Sequence, residues 1–478
     1  MTAVNERPGG LPALEARVRA DLAMTAHPRA PWLLPRTGPD GKPALDVLVV
    51  GAGQSGLATA FGLLRSQVTH IAVIDRAPAG AEGPWRSYAR MPTLRSPKDF
   101  TGPDLDVPSL TYQAWHEARY GTAAWDTLVQ ITRTDWADYL DWFREITGIP
   151  VRNGVALRGL APADGLIAAT GETVAGTTTL YARKVVLATG QEGMGDWDLP
   201  EPFASLPGAL RSRACDPIDF AALADKVVAV VGAGASAFDN AATALEAGAR
   251  EVHLLCRRPE AQVVQPYRWL TFRGFLRHLG DLDDAWRWRF MRKILEMREG
   301  FPQATYDRCA AQPGFRLHLG APVTAALAVD GRARLAMPRG SLDADHVIVA
   351  AGITMDFAAR PELAAFAGNI ATWGDRYAPP ADEASDRLAR FPYLGADYAL
   401  SERTPGVTPW IADVHVFSIA STMSFGASGS SINAMTTAVP RLVSGITRGL
   451  FAGDVEHHWR ELLAYDVPQA VLHAPSQA

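Results

Sequence analysis

Gly51-Ala52-Gly53-Gln54-Ser55-Gly56 and Gly232-Ala233-Gly234-Ala235-Ser236-Ala237 are two glycine-rich turns of one kind. Asp46-Val47-Leu48-Val49-Val50 leads into the first and Val227-Val228-Ala229-Val230-Val231 into the second, both reading as buried strands. Residues of helix-forming composition come after each turn, over 57–64 and 236–246. Strand, glycine turn and helix in that order are the context a dinucleotide fingerprint requires. Gly51 permits the tight turn, Gly53 lets the backbone approach a pyrophosphate, and Gly56 allows the helix to pack closely on the strand. Phosphates at such a turn meet unpaired amides and the positive end of the helix dipole. Gly51, Gly53, Ser55 and Gly56 are therefore candidate cofactor residues, with Gly232, Gly234, Ala235 and Ser236 as their counterparts.

The residue that ends the next strand distinguishes the two nucleotides. After the first turn that strand, Ile71-Ala72-Val73-Ile74, ends at Asp75 with Arg76 beside it, 24 residues after Gly51. A carboxylate near the ~20-residue offset accepts hydrogen bonds from ribose hydroxyls and repels a 2′-phosphate, so this site suits FAD or NAD. After the second turn, Glu251-Val252-His253-Leu254-Leu255 ends at Cys256-Arg257-Arg258, with Arg257 25 residues after Gly232. Arginine there pairs with a 2′-phosphate and favours NADPH over NADH.

The rest of the chain narrows the class. Its 478 residues allow two or three domains, and 48% hydrophobic with 20% charged residues reads as an ordinary globular protein. A net charge of −5 makes no case for nucleic acid. No apolar run approaches ~18 residues and no signal-peptide pattern opens the chain, so the expectation is a cytoplasmic protein without a membrane segment. Cys215, Cys256 and Cys309 are far apart. That spacing excludes the redox-active cysteine pair of disulfide reductases, and no His/Cys cluster has metal-ligand spacing.

The expected fold class is α/β, with two Rossmann-like dinucleotide-binding domains, the NADPH domain inserted in the FAD domain. Lys184-Val185-Val186-Leu187-Ala188 runs into Thr189-Gly190, and His346-Val347-Ile348-Val349-Ala350 runs into Ala351-Gly352, so two strand-to-glycine crossovers bracket the insertion. The chain thus divides into an N-terminal extension (1–44), a first FAD part (45–204), the NADPH domain (205–345), a second FAD part (346–450) and a tail (451–478). Helices are expected over 11–24 and 134–147. A proline-containing arm from His27 to Lys42 lies across another part of the protein or a partner subunit, which leaves room for a homodimer. A Trp- and Arg-rich stretch over 282–300 either packs or roofs a substrate pocket.

Together the two turns, Asp75, Gly83-Pro84-Trp85, Ala188-Thr189-Gly190, Arg257 and Ala351-Gly352 resemble the class B flavin-dependent monooxygenases over residues 45–440. That group comprises flavin-containing, Baeyer–Villiger and N-hydroxylating monooxygenases. One motif departs from the first two subgroups. In the register of their fingerprint, F-x-G-x-x-x-H-x-x-x-(W/Y/F), Gly208 survives while Ser212 replaces the histidine and Asp216 the aromatic residue.

The resemblance implies bound FAD and NADPH. It also implies an oxygen atom delivered from O2 to a small organic substrate through a C4a-(hydro)peroxyflavin, with the degraded fingerprint tilting toward nitrogen. Oxygenation of a ketone, and FAD/NADPH oxidoreduction without oxygen insertion, are the alternatives. Trp85, Thr189, Gly190, Arg258 and Gly352 join the candidate cofactor residues on this basis. Arg95, Ser96 and Lys98, where similar enzymes pass the chain over the flavin, are the catalytic candidates, Arg95 as a charge stabiliser or else as one member of an ion pair. The small polar run 421–433, with Ser428 and Asn433, leads into a helix whose N-terminus either faces the flavin or caps an ordinary helix. His116, His253 and His415 read as structural.

Overall fold

Leu45, Val47, Leu48 and Val49 are almost wholly buried because their strand, Pro43–Val50, lies at the centre of a sheet covered on both faces. In the computed structural model, which describes residues 10–25, 28 and 30–472, this strand pairs in parallel with Ile71–Asp75 on one side and Gly176–Leu187 on the other. Val151–Asn153 extends the sheet beyond Ile71–Asp75, and Val414–Val416 extends it beyond Gly176–Leu187. The strand Gly176–Leu187 serves two purposes. Its first half pairs antiparallel with Leu166–Thr173, which in turn pairs with Ala156–Ala163, while its second half stays in the parallel layer.

A second, wholly parallel sheet has the order Phe315–His318, Glu251–Leu255, Val227–Val231, His346–Val349, Arg211–Arg213. A three-stranded antiparallel layer over 325–344 leans on it. The connections leaving and re-entering the first domain pair with each other, Gly195–Trp197 against Ile353–Met355. This is the α/β architecture of two Rossmann-type units, one inserted in the other.

Two boundaries differ from the expected ones. The strand His346–Val349, assigned to the returning FAD part, pairs with Val227–Val231 and Arg211–Arg213, so the inserted sheet keeps it and the crossover comes after it. A run of Val and Ile states that a strand is buried, not which sheet buries it. The helix Met435–Gly453 also passes the expected limit at 450, and a further helix, Val455–Ala464, lies within the presumed tail.

The expected helices form at Gly10–Met24, Arg133–Thr147 and Ala235–Glu246. Thr132 accepts from the Asp135 amide at the start of the second, and Gly148 ends it with a left-handed φ of 66°. The N-terminal helix buries Leu14 and Val18 and packs near Tyr112–Tyr120, so this part of the extension lies on the first domain. Residues 1–9 and 473–478 and, in the proline-containing arm, His27 and Arg29 lie outside the described residues. In the Trp-rich stretch, helix Asp284–Met297 buries Trp288, Met291 and Ile294, while Trp286 is exposed. Trp288 rests 6.1 Å from Trp373 and donates to the Glu383 carbonyl, which makes it a packing residue.

Glu192, just past the first crossover, joins two arginines. It accepts from Arg76 and, at 3.0 Å, from Arg360, which also holds Glu362 at 2.7 Å. Burial pulls its pKa upward, but the two guanidinium groups outweigh that and hold it below the ordinary glutamate value of 4.5. The stability this cluster adds is therefore complete above the unfolded pKa and lost as pH falls through the depressed folded one. Glu192→Gln is expected to lower Tm at pH 7 and to flatten the acid limb of a Tm-against-pH curve below about pH 4.5. An unchanged acid limb would assign the acid sensitivity elsewhere.

Candidate functional site

Gly51 adopts a φ of 105°, and a Cβ there would stand 2.4 Å from the Ala188 carbonyl oxygen. Gly232 adopts 126°, and its Cβ would stand 2.5 Å from the Ala350 oxygen. In both domains the absent side chain lets the crossover strand press against the nucleotide turn. Gly56 is closed in further: its Cβ would lie 1.8 Å from the Gly51 oxygen, so the helix sits directly on the turn. Gly53 and Gly234 have the opposite environment. A Cβ on Gly53 would meet only the Gly83 backbone at 3.7 Å, and one on Gly234 would meet nothing within 4 Å. Both positions are open, as the approach of a pyrophosphate would require.

Around the first turn, Asp75 accepts from the Ala52 amide at 2.7 Å and the Ala77 amide at 2.8 Å. An ionised carboxylate has about four acceptor positions, so capacity for ribose hydroxyls remains. Burial raises its pKa, and the two amides work against that rise. Arg76 turns outward to Glu192 instead of toward the turn. Gly83-Pro84-Trp85 passes over Gly53, with Trp85 buried, its carbonyl held by Arg133, and its ring edge-on to Trp136 at 6.5 Å. Trp136 Nε1 donates to Gln54 of the turn at 3.2 Å. Trp85 Nε1 is buried without a protein partner, as is Asn433 Oδ1. The buried Trp85 N–H, left unpaired in the segment that passes over Gly53, fits a bound flavin nucleotide, because such a group is costly unless something answers it.

The run 421–433 is mostly buried. Ser421 and Ser428 share a 3.1 Å hydrogen bond, Ser55 on the first dinucleotide helix donates to the Gly429 carbonyl at 3.0 Å, and Ser424 accepts from Trp373 Nε1 at 3.2 Å. Ile432–Ala434 forms one 3₁₀ turn before Met435–Gly453, which packs on Gln54–Arg65. Thr189 donates to the Gly193 carbonyl, Gly190 has a φ of 63°, and Gly352 accepts from the Asp198 amide.

The catalytic candidates take other partners. Arg95 donates to Asp239 at 2.6 Å and lies 3.3 Å from Glu299, so the ion-pair alternative describes it. Lys98 donates to the Trp125 carbonyl at 2.7 Å and lies over that ring; Ser96 is half-buried. Asp239, on the second dinucleotide helix, is buried and lies 3.5 Å from Arg308 as well. The Arg95–Asp239 bond thus joins the loop beside the first turn to the helix after the second. Asp239 was missed by sequence reasoning. Its only signal was position, one helical turn past Ala235 in a carboxylate-poor helix.

At the end of strand Glu251–Leu255, Arg257 is exposed, while Arg258 donates to the carbonyls of Glu296 and Met297 at the end of helix Asp284–Met297. Arg298 has a left-handed φ of 66°. Burial and the charges of Arg387, Arg257 and Arg258 push its pKa down to about 10. The strand end therefore carries an excess of positive charge, answered in part by Asp198. Ser212, in the place of the fingerprint histidine, meets His346 Nε2 at 2.9 Å from the adjacent strand. His253 pairs with His318 and Glu251, and His415 with the Asp397 carbonyl, as structural residues. His116 packs among Tyr112, Tyr120 and Trp125. No group of three metal-ligating side chains occurs among the described residues.

Known proteins align with this arrangement. A family profile described as FAD-NAD(P)-binding matches residues 48–192. The FAD-dependent urate hydroxylase of Xanthomonas campestris pv. campestris is 39% identical over 466 residues, covering 97% of this chain and 98% of the relative. Among solved structures, an ornithine N-hydroxylase from Kutzneria sp. 744 superposes with a TM-score of 0.64 at 18% identity, covering 85% of this chain and 99% of its own. An ornithine hydroxylase from Pseudomonas aeruginosa gives 0.65 at 15%, covering 85% and 100%. These two likenesses speak to the fold.

Gly53→Val and Gly56→Val are expected to part ways. Gly53→Val folds with near-native circular dichroism but purifies colourless, because space is taken from the nucleotide alone; Gly56→Val fails to fold, because its side chain meets the turn's own backbone. Equal behaviour of the two would remove the distinction. Arg95→Ala leaves buried Asp239 with only Arg308 at 3.5 Å and the Thr305 hydroxyl, and is expected to cost about 2–3 kcal/mol, below the range for breaking a fully buried pair since Arg95 is partly exposed. Denaturant titration of the variant checks this.

Proposed function

The chain belongs to the family of the FAD-dependent urate hydroxylase, and from that premise we propose that it is a flavin-dependent monooxygenase that hydroxylates a planar oxopurine of the urate type with NADPH and O2. Full-length kinship with that hydroxylase carries the reading. It favours hydroxylation of a purine over the nitrogen oxygenation suggested by the degraded fingerprint.

Bound FAD supplies the hydride acceptor and the means of activating O2. The residues of the chain hold it, hold its reductant and keep the two together. Gly51, Gly53 and Gly56, with the amides at the start of Gln54–Arg65, hold the pyrophosphate of FAD, and Asp75 its ribose. Trp85 Nε1 and Asn433 Oδ1 offer one donor and one acceptor to the same nucleotide. Gly232, Gly234, Ala235 and Ser236 hold the second pyrophosphate. Arg257, in the field of Arg298 and Arg387, meets the 2′-phosphate of NADPH. Arg258, committed to helix carbonyls, contributes charge only.

Thr93, Arg95, Gln130, Thr305 and Arg308 line a cleft between the two domains, beside the Arg95–Asp239 bond. Three cysteines without a disulfide suit a reducing compartment such as the cytoplasm.

Urate is expected to accelerate NADPH oxidation by the FAD-loaded protein and to suppress hydrogen peroxide release, with product mass showing one added oxygen. Acceleration by ornithine or lysine but not by urate would overturn the substrate class. Arg257→Ala is expected to raise KM for NADPH about tenfold, ~1.4 kcal/mol of lost binding, while leaving KM for NADH nearly unchanged. Equal effects on both would reassign the nicotinamide cofactor.

A further inference from the structure

Helix Val455–Ala464 buries none of its ten residues, whereas every other helix of eight residues or more among those described buries at least one. Its sequence is amphipathic all the same. Val455, Trp459, Leu462 and Leu463 fall at positions i, i+4, i+7 and i+8, one stripe of a helix, and are 50%, 58%, 64% and 68% exposed. Phe451 at 50% and Tyr465 at 68% continue the stripe at its two ends. A ten-residue helix is too short to hold itself in water, and most helical stability comes from covering an apolar face.

We propose that this face is covered by the same face of a second copy of the chain, making a two-fold dimer. The polar side of the helix makes its own contacts: His457 lies 3.1 Å from Glu461 and Arg460 donates to the Glu456 carbonyl, while His458 stacks on Phe451 at 5.0 Å. One arginine against two glutamates leaves no positive excess, which is the wrong charge for an anionic lipid surface. Nor do residues 473–478 carry a large apolar side chain that could fold back over the stripe.

The area fits a dimer. An aromatic side chain carries on the order of 150–250 Å². At half to two-thirds exposure, Phe451, Trp459 and Tyr465 offer roughly 300–400 Å², and Val455, Leu462 and Leu463 carry the face toward the ~800 Å² per partner of a stable interface. A stripe with Trp459 near its middle is also self-complementary under a two-fold axis, where antiparallel copies set each end against the other's. The preceding helix, Met435–Gly453, follows the 421–433 run and packs on Gln54–Arg65, and its C-terminal end leads into this surface.

Size-exclusion chromatography with light scattering on the FAD-loaded protein tests the proposal. Wild type is expected at twice the chain mass, and Trp459→Glu combined with Leu463→Glu at the monomer mass with unchanged flavin content. Trp459→Phe, which keeps the apolar stripe, should remain a dimer. A monomeric wild type, or a double variant that keeps the wild-type mass, overturns the proposal, and so does monomeric wild type that floats with phosphatidylcholine–phosphatidylglycerol vesicles. If the double variant does not fold, the wild-type mass and its fall on dilution decide alone.

Discussion

The contact between a glycine without a side chain and a crossover carbonyl supports the whole arrangement, and it occurs twice. At Gly51 and at Gly232 any Cβ would meet the oxygen of Ala188 or Ala350 inside van der Waals contact. Because the side chain is absent, the central strand, the turn and the strand that leaves the domain close on one another. The amides at the start of the adjoining helix then all point into one space. Each crossover strand also begins the connection to the other domain, so what shapes the two cradles also fixes where the chain leaves them.

The second constraint is electrostatic. Asp239 is buried on the inserted domain and Arg95 reaches it from the first, with Arg308 and Glu299 completing a small network. A buried carboxylate is tolerated only when charge and hydrogen bonds answer it, so the domains are held in the orientation that supplies them. An arginine that sequence reasoning offered as a charge stabiliser at the flavin thereby acts on the approach of one nucleotide domain to the other. The cleft beside the bond takes its lining from both domains.

Kinship and fold carry different weights in the functional reading. Structures sharing this architecture at 15–18% identity act on amino acids, by their names, and establish the fold. The relative at 39% identity over nearly the entire length is a urate hydroxylase, and it directs the substrate toward purines. The departure at Ser212 fits that separation: where two of the class B subgroups have a histidine, this chain has a serine whose hydroxyl meets His346 of the neighbouring strand.

The sequence by itself determined that the chain carries dinucleotide-binding turns. Glycines at fixed offsets after β-branched runs, an acid after one unit and an arginine after the other are local facts, since each reports on a turn or strand end within about 25 residues. Hence the two strand-turn-helix units, with Asp75 ending the strand after one and Arg257 just past the strand after the other, were legible. Only the tertiary structure decided that His346–Val349 stays with the inserted sheet, that Arg76 and Arg95 are spent on carboxylates far away in sequence, and that Asp239 and Glu192 receive them. It also decided that the run from Ser421 to Asn433 packs against the first helix and that one amphipathic helix near the C-terminus buries none of its residues among those described. The reason is distance along the chain. Strand choice and charge pairing depend on residues a hundred or more positions apart, and no local pattern records which buried strand or which opposite charge will be the one that arrives.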